Sequence, residues 1–241
     1  MALSALMCAA VGWGVYDVGM NLVVWHFIQE TSQGDPSLSV VPTTPPDASI
    51  AALHGLQIRN FEYSFQVPWD DLAFERDHKS ATVRYFKNGA TLMLFDPTTE
   101  LNRTELLRGK SQEDQKKIKR VLGIRPLSSN YDLLAAELAT ASSQVKWWSP
   151  LAVKARGFLL LNLKSMEILK PNAIYMQSNG EMHGFQLGNP ALPPYQVELN
   201  LFDTNDRRYK MLIAGKQLTH QVMTQAEVNA MVASLKPIPH S

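Results

Sequence analysis

The sequence predicts an α+β protein in which a single N-terminal transmembrane helix precedes a mainly antiparallel sheet of about seven strands packed with helices. Three observations lead to this prediction. The chain opens with a long apolar run, alternating strand-like segments follow with Asn-Gly turns, and capped helical segments stand between them. The expected parts are an anchor helix over residues 1–29, a linker over 30–55 and an extracytoplasmic α+β domain over 56–241.

The opening run from Ala2 to Ile28 contains no lysine or arginine. Its roughly 27 residues would form a helix of about 40 Å, which exceeds the ~30 Å hydrocarbon core of a bilayer. We therefore expect a single-pass membrane anchor. A cleaved signal peptide and a buried helix of a soluble domain are the alternatives. The missing basic start argues against the signal peptide, whereas Asp17, Asn21 and His26 favour the soluble helix.

One face of the predicted anchor is polar, because Trp13, Asp17 and Asn21 follow each other at four-residue spacing. Small residues, among them Gly12, repeat at the same spacing and allow close approach of helices in lipid. An ionisable side chain facing lipid is costly. We therefore predict that Gly12, Trp13, Asp17 and Asn21 contact partner helices, the alternative being that Asp17 is protonated or tolerated.

The segment over residues 30–55 is rich in proline, serine and threonine. Its prolines exclude a continuous helix and favour a semi-rigid spacer: Pro36, Pro42, Pro45 and Pro46. No lysine or arginine precedes Arg59, although residues retained in the cytoplasm beside a span are usually basic. We therefore expect the C-terminal domain on the periplasmic or lumenal side of the membrane.

Strand patterns begin with an alternation of apolar and polar residues through Phe61, Tyr63, Phe65 and Val67. Two Asn-Gly dipeptides, at residues 88–89 and 179–180, favour type I′ turns and therefore predict two tight hairpins. A further pair of strands is predicted around residues 204–206. Helical segments separate the first three strands from the last four.

Each of four helical segments begins with a capping signal, at Ser111, Ser129, Ser149 followed by Pro150, and Thr224. The last segment pairs Thr224 with Glu227 as a capping box. Its apolar residues lie on one face that we expect in the core: Val228, Met231, Val232 and Leu235.

The order of these elements resembles the PsbP-like superfamily over about residues 56–239. The segments that carry the resemblance are FEYSFQVPWDDLAF, then LFDTNDRRYKMLIAG, and the terminal AEVNAMVASLKP. The resemblance implies an α/β/α sandwich and a role as an extracytoplasmic module that assists membrane assemblies, photosystems among them, without being an enzyme. The long helices between the hairpins and the uncleaved-looking anchor depart from the chloroplast members. No functional residue of the family is carried over.

Composition and motifs provide no catalytic residue, cofactor site or metal site. The chain has 23 basic and 22 acidic residues, so its net charge of +1 makes nucleic acid an unexpected partner. Its single cysteine, Cys8, excludes an internal disulfide. The six histidines lack zinc-binding spacing, and neither a GxSxG elbow nor a glycine-rich phosphate loop occurs.

Two segments are candidates for interactions of the soluble domain. Adjacent Trp147 and Trp148 precede a helix, and such a pair on a loop is costly unless it packs in the core or docks on a partner. The basic run over residues 116–120 is either an ordinary exposed helix face or a contact for anionic lipid or an acidic partner.

The predicted function is a non-catalytic accessory or assembly subunit of a membrane protein complex, photosynthetic or respiratory. Integral membrane proteins and the lipid bilayer are its expected partners. The alternative is an independent tethered domain that binds a small ligand or carries an unrecognised enzymatic activity.

Overall fold

A computed structural model describes residues 19–77, 82–87, 89–96, 106–167, 169–215 and 220–238. Within these ranges the protein is α+β, with an eight-stranded mixed sheet, a three-stranded sheet and five α-helices. The α+β class agrees with the sequence prediction. The predicted single sheet of about seven strands is replaced by two sheets.

The helices are α1 (19–33), α2 (Gln112–Leu122), α3 (Asn130–Ala139), α4 (Leu151–Ser165) and α5 (Gln225–Ser234). Ser111 and Ser129 cap α2 and α3 as predicted, and the Thr224–Glu227 capping box begins α5. At α4 the N-cap residue is Pro150, and the Ser149 hydroxyl instead accepts a hydrogen bond from the Lys146 amide (3.0 Å).

The eight-stranded sheet has the order β1-β7-β8-β9-β10-β6-β5-β4. Only β1 and β7 pair in parallel within it. The three-stranded sheet has the antiparallel order β11-β3-β2. The strands are β1 (Pro42–Thr43), β2 (Gln57–Asn60), β3 (Tyr63–Gln66), β4 (Ala73–Asp77), β5 (Thr82–Lys87), β6 (Ala90–Phe95), β7 (Ile174–Ser178), β8 (His183–Leu187), β9 (Val197–Phe202), β10 (Arg208–Gly215) and β11 (Lys236–Pro237).

Both hairpins predicted from Asn-Gly dipeptides form, joining β5 to β6 and β7 to β8. Gly89 and Gly180 both have φ of 90°, a conformation that glycine adopts without the steric penalty of a Cβ. The dipeptide signal therefore places two of the antiparallel pairings correctly.

The first face of the large sheet packs against α5 and the three-stranded sheet in the main hydrophobic core. Alternate residues of β9 and β10 point to this face, including Leu199, Leu201, Tyr209 and Met211. The predicted apolar face of α5 is confirmed, because Val228, Met231, Val232 and Leu235 are all buried there.

The second face of the large sheet packs against α3, with α4 beside it. Phe185 and Phe202 of the sheet contact Leu134 and Leu138 of α3 in a separate cluster. The carboxylate of Asp206, in the β9–β10 turn, accepts hydrogen bonds from the first backbone amides of α3 (2.6 and 3.0 Å). This contact satisfies amide groups that lack a partner within the helix and holds α3 over the sheet.

Lys164 connects α4 to the end of α3 and to the segment that leads into β1. Its buried ammonium donates hydrogen bonds to the carbonyls of Val40, Leu138 and Thr140. Burial lowers the pKa of Lys164 to about 8, although the carboxyls of Glu137 and Asp35 act in the opposite direction. One side chain therefore caps α3 and fixes a distant part of the chain.

The predicted transmembrane anchor over residues 1–29 is wrong. In the part of the chain that the structure describes, no helix combines the length and the apolar character needed to cross a bilayer. This finding also contradicts the single-pass location with an extracytoplasmic domain. Helix α1 continues beyond the apolar run through polar residues to 33, and its Val24 and Ile28 pack against Val145 and Leu161. The hydropathy of these residues predicted contact with lipid, but in the structure Val24 and Ile28 contact the rest of the same domain.

The proline-rich segment predicted as a linker packs against the domain. Leu38 is buried beside α4, and β1 adds to the large sheet through its pairing with β7. Farther along, Asn229 of α5 donates hydrogen bonds to the carbonyls of Asp47 and Ser49 (both 2.9 Å). Pro36 begins a short 3-10 helix over Pro36–Ser39, and Pro42, Pro45 and Pro46 lie in non-helical chain.

Candidate interaction surface

Of the residues predicted to contact partner helices, Gly12, Trp13 and Asp17 lie outside the described residues. Asn21 lies on α1, and its side-chain oxygen accepts a hydrogen bond from the ammonium of Lys154 on α4 (3.2 Å). This contact of the predicted polar face therefore joins two helices of the same chain.

Lys154 is fully buried where α1 and α4 meet the loop before α4. Besides Asn21, its ammonium hydrogen-bonds to the backbone carbonyl of Trp147. A buried cation is costly unless polar atoms surround it, so these contacts favour one arrangement of α1 beside the tryptophan loop. Gly157 contributes to the same packing, because a Cβ there would lie 2.7 Å from the side chain of buried Val145.

Trp147 and Trp148 project into solvent, with 56% and 66% of their surfaces exposed. Their rings are perpendicular and their centroids lie 5.5 Å apart. These exposures do not fit the alternative of core packing. Removing an indole ring from water is strongly favourable. Two tryptophan side chains that the fold leaves in solvent therefore indicate a surface that docks on a partner.

Further large apolar side chains are exposed on the two helices joined by Lys154. We define the tryptophan surface as Trp147 and Trp148 together with Leu151 and Phe158, which share a face of α4, and with Met20, Val23 and Phe27 of α1. The three α1 residues recur at spacings of three and four and therefore share a helix face. Exposed apolar side chains that occur together, rather than singly, indicate binding surfaces.

Exposed basic residues occur near the tryptophans in the chain. Lys146 directly precedes them, and Arg156 lies on α4, on the side of the helix opposite Phe158. Helix α2 packs against α4 through Ile118 and Leu122, and it exposes both basic residues and the acidic Glu113 and Asp114 of its first turn. No acidic residue occurs between positions 138 and 166, and of the four basic residues there Lys154 and Lys164 are buried.

A second group of residues, here called the buried ion cluster, consists of Glu137, Glu167, Glu198, Asn200, Arg208 and Lys210. It lies between the second face of the sheet and the helices. Arg208 contacts Glu167 (Nη2 to Oε2, 3.1 Å) and donates to Asn200 (2.7 Å). Lys210 contacts Glu198 (3.1 Å) and Glu167 (3.5 Å). The cluster therefore links the β9–β10 hairpin to the end of α4.

The three carboxyls of the buried ion cluster differ in proton affinity. Burial raises the pKa of Glu137 well above its ordinary value, and the neighbouring Glu167 raises it further. Burial also raises the pKa of Glu198, although Lys210 opposes it. For Glu167 burial acts in the same direction, but Arg208 and Lys210 outweigh it and the pKa is lowered. Glu167 is therefore the carboxylate that balances the buried cations.

The buried ion cluster has unpaired carboxyl oxygens, but its cations Arg208 and Lys210 argue against a metal site. Oε1 of Glu137 and Oε2 of Glu198 have no hydrogen-bond partner among the described residues. Within those residues, however, no group of three His, Cys, Asp or Glu side chains is arranged to hold a metal ion. Arg208 and Lys210 neutralise the carboxylates instead, which indicates a structural role.

Sequence reasoning missed the buried ion cluster, although a signal was present. In β9 the polar residues Glu198 and Asn200 alternate with leucines, and β10 places Arg208 and Lys210 at matching alternate positions. In an antiparallel hairpin such residues share one face, so opposite charges there predict ion pairs. Glu137 and Glu167 belong to elements far along the chain, and no local pattern places them beside the hairpin.

In the Glu137→Gln variant the free energy of unfolding should fall less between about pH 5 and about pH 7 than it does in the wild type. A carboxyl whose pKa is raised above its ordinary value of 4.5 retains a proton in the folded state that the unfolded state releases, so its contribution to stability falls as pH rises above that value. Glutamine removes this contribution, while Glu167, Arg208 and Lys164 still face the site. We expect the free energy of unfolding at about pH 7, relative to about pH 5, to be higher in the variant.

Urea denaturation at both pH values measures this difference. The same substitution at Glu181, exposed in the β7–β8 turn, controls for the loss of a glutamate. A pH profile for Glu137→Gln that parallels the wild type would contradict the raised pKa.

Comparison with known proteins identifies no relative: no family model, no curated protein and no solved structure matches this chain. The resemblance to the PsbP-like superfamily therefore stays a prediction.

Proposed function

We propose that this protein is a non-catalytic accessory or assembly subunit of a membrane protein complex and that it docks through the tryptophan surface. The observation that carries the proposal is the exposure of Trp147 and Trp148 on an ordered loop. Tryptophan is enriched among residues that dominate binding energy, because its large ring gains much from desolvation. A partner that covers the two rings would supply that gain.

The backbone around the tryptophans supports docking, since it is held by buried contacts. Val145 lies in the small core shared with Ile28 and Leu161, and Lys154 hydrogen-bonds to the Trp147 carbonyl. A surface that is already ordered loses less conformational entropy on binding.

The alternative, an independent domain with a ligand site or an enzymatic activity, has less support. Glu167 and Glu198 of the buried ion cluster form ion pairs with Arg208 and Lys210, and the cluster lies beneath α3 and the end of α4. A substrate would have to displace those elements to reach Glu198, which is fully buried.

Replacing Trp147 and Trp148 together by serine should remove the docking function while preserving the fold. A tryptophan that is central to an interface contributes about 2 kcal/mol or more, so each ring should account for an affinity change of about 30-fold. The measurement is the native size of the full-length tagged protein after mild detergent extraction from its own cells. We expect the wild type in a larger particle and the double variant outside it.

Leu192→Ser is the matched control, because Leu192 is an exposed apolar residue on the loop before β9 and lies outside the tryptophan surface. It should leave the larger particle intact. Circular dichroism should show the same fold for all three proteins. Equal recovery of the larger particle with wild type and the double-serine variant would refute docking through this surface.

A further inference from the structure

We infer that residues 1–18 of the chain cover the tryptophan surface when no partner is bound, and that the partner displaces them when it docks. The inference rests on the proposed function, because it concerns the regulation of the same surface. Its evidence is the direction of α1 relative to α4, together with the composition and the length of the segment that precedes α1.

Helix α1 runs parallel to α4, and its first turns lie beside the loop that carries the tryptophans. Asn21 of α1 accepts a hydrogen bond from Lys154 of α4 (3.2 Å). Seven residues later on each helix, Ile28 and Leu161 pack in one cluster. Contacts that advance together along two helices mean that the helices have the same direction. Because the Lys154 ammonium also hydrogen-bonds to the Trp147 carbonyl, the chain before α1 emerges beside the two indole rings.

The segment before α1 is apolar. In residues 1–18 the only charged side chain is that of Asp17, and the apolar ones include Leu3, Leu6 and Trp13. These side chains gain free energy when they leave water, and so do those of the tryptophan surface. Contact between the segment and the surface removes both from water without a second molecule.

The charges of the segment and the tryptophan loop are opposite in sign. Asp17 is acidic, whereas Lys146 directly precedes the tryptophans and is exposed. No acidic residue occurs between positions 138 and 166 to repel Asp17. An exposed ion pair contributes little stability, so this charge pairing favours one placement of the segment while burial of apolar side chains drives the contact.

The segment is long enough to reach the whole surface. Its 18 residues span about 27 Å as a helix and up to about 60 Å when extended, whereas the surface on α1 from Met20 to Phe27 spans about 10 Å. Attachment gives the segment an effective concentration in the millimolar range, so even a weak contact keeps the surface covered. A partner must displace the segment, and its apparent affinity falls in proportion to the fraction of chains that are uncovered.

Cross-linking through Cys8 tests the coverage, because Cys8 lies within the segment and is the only cysteine of the chain. Leu151→Cys and Phe158→Cys each place a second thiol on the part of the tryptophan surface that belongs to α4. The purified full-length variants are treated with a short bismaleimide that contains a reducible disulfide. We expect both variants to form a cross-link to Cys8 within one chain, identified by mass spectrometry. Leu192→Cys is the matched control, since Leu192 is exposed outside the tryptophan surface, and its thiol should remain unlinked to Cys8.

The cross-linked Leu151→Cys protein also tests displacement. It is tagged and added to a detergent extract of its own cells, and the native size of the tagged protein is measured. We expect the cross-linked protein to stay outside the larger particle, because its segment cannot leave the surface. Cleavage of the linker by a reductant should restore entry. Leu192→Cys protein treated with the same reagent should enter the particle before and after reduction.

Three results would overturn the inference. The first is the absence of a cross-link to Cys8 in both surface variants, and the second is a cross-link that joins two chains, which would assign the cover to a second copy. The third is entry of the cross-linked Leu151→Cys protein into the larger particle without reduction. The proposed function fails separately, when the larger particle forms equally with the wild type and the double-serine tryptophan variant.

Discussion

Replacing Arg208 by methionine should lower the free energy of unfolding by about 3–5 kcal/mol, because it leaves a buried carboxylate without its main partner. The Arg208 and Glu167 side chains are each 11% exposed, and the guanidinium also donates to buried Asn200. Lys210 remains 3.5 Å from Glu167 and compensates only in part. Urea denaturation with linear extrapolation measures the change.

Two further variants separate the ion pair from general effects of the substitution. Arg125→Met changes an exposed arginine after α2 and should shift stability by no more than about 0.5 kcal/mol. Glu167→Gln combined with Arg208→Met should recover part of the loss, because the unpaired charge is then absent. A loss below about 1 kcal/mol for Arg208→Met would show that the pair contributes no more than a surface contact.

Replacing Met231 by alanine should cost about 2–5 kcal/mol. Met231 lies on the buried face of α5 and packs in the main core with residues of both sheets, so truncation leaves a cavity and removes apolar contacts. Both effects lower the free energy of unfolding, which thermal or urea denaturation measures.

The same substitution at Met166 is a matched control, since that side chain follows α4 and is 72% exposed. Its effect should stay within about 0.5 kcal/mol. If Met231→Ala and Met166→Ala had equal effects, α5 would not belong to the core.

The elements that sequence analysis predicted well depend on local physics. The capping box at Thr224 and the spacing of Val228, Met231 and Val232 define α5 without reference to the rest of the chain. The Asn-Gly turns likewise define their own hairpins. Such features can be predicted from one sequence, because each is determined within about ten residues.

The features that sequence analysis missed depend on distant contacts. Hydropathy shows that Val24 and Ile28 are apolar, but it does not say whether lipid or Val145 and Leu161 lie opposite them. The strand β1 was equally unpredictable, because Pro42 and Thr43 of a proline-rich segment pair with Ile174 and Tyr175, more than a hundred positions away. The sequence singled out Trp147 and Trp148, but neither their exposure nor their position beside α1 could be read from it.

The three hydrogen bonds of the Lys164 ammonium have a consequence for hydrogen exchange. The last turn of α3 and the segment entering β1 depend on the same donor, so opening either one removes part of the support of the other. Two regions that share a contact in this way open as one cooperative unit. Amide protons at the end of α3 and those around Val40 therefore exchange with a common free energy of opening, although nearly a hundred residues separate them.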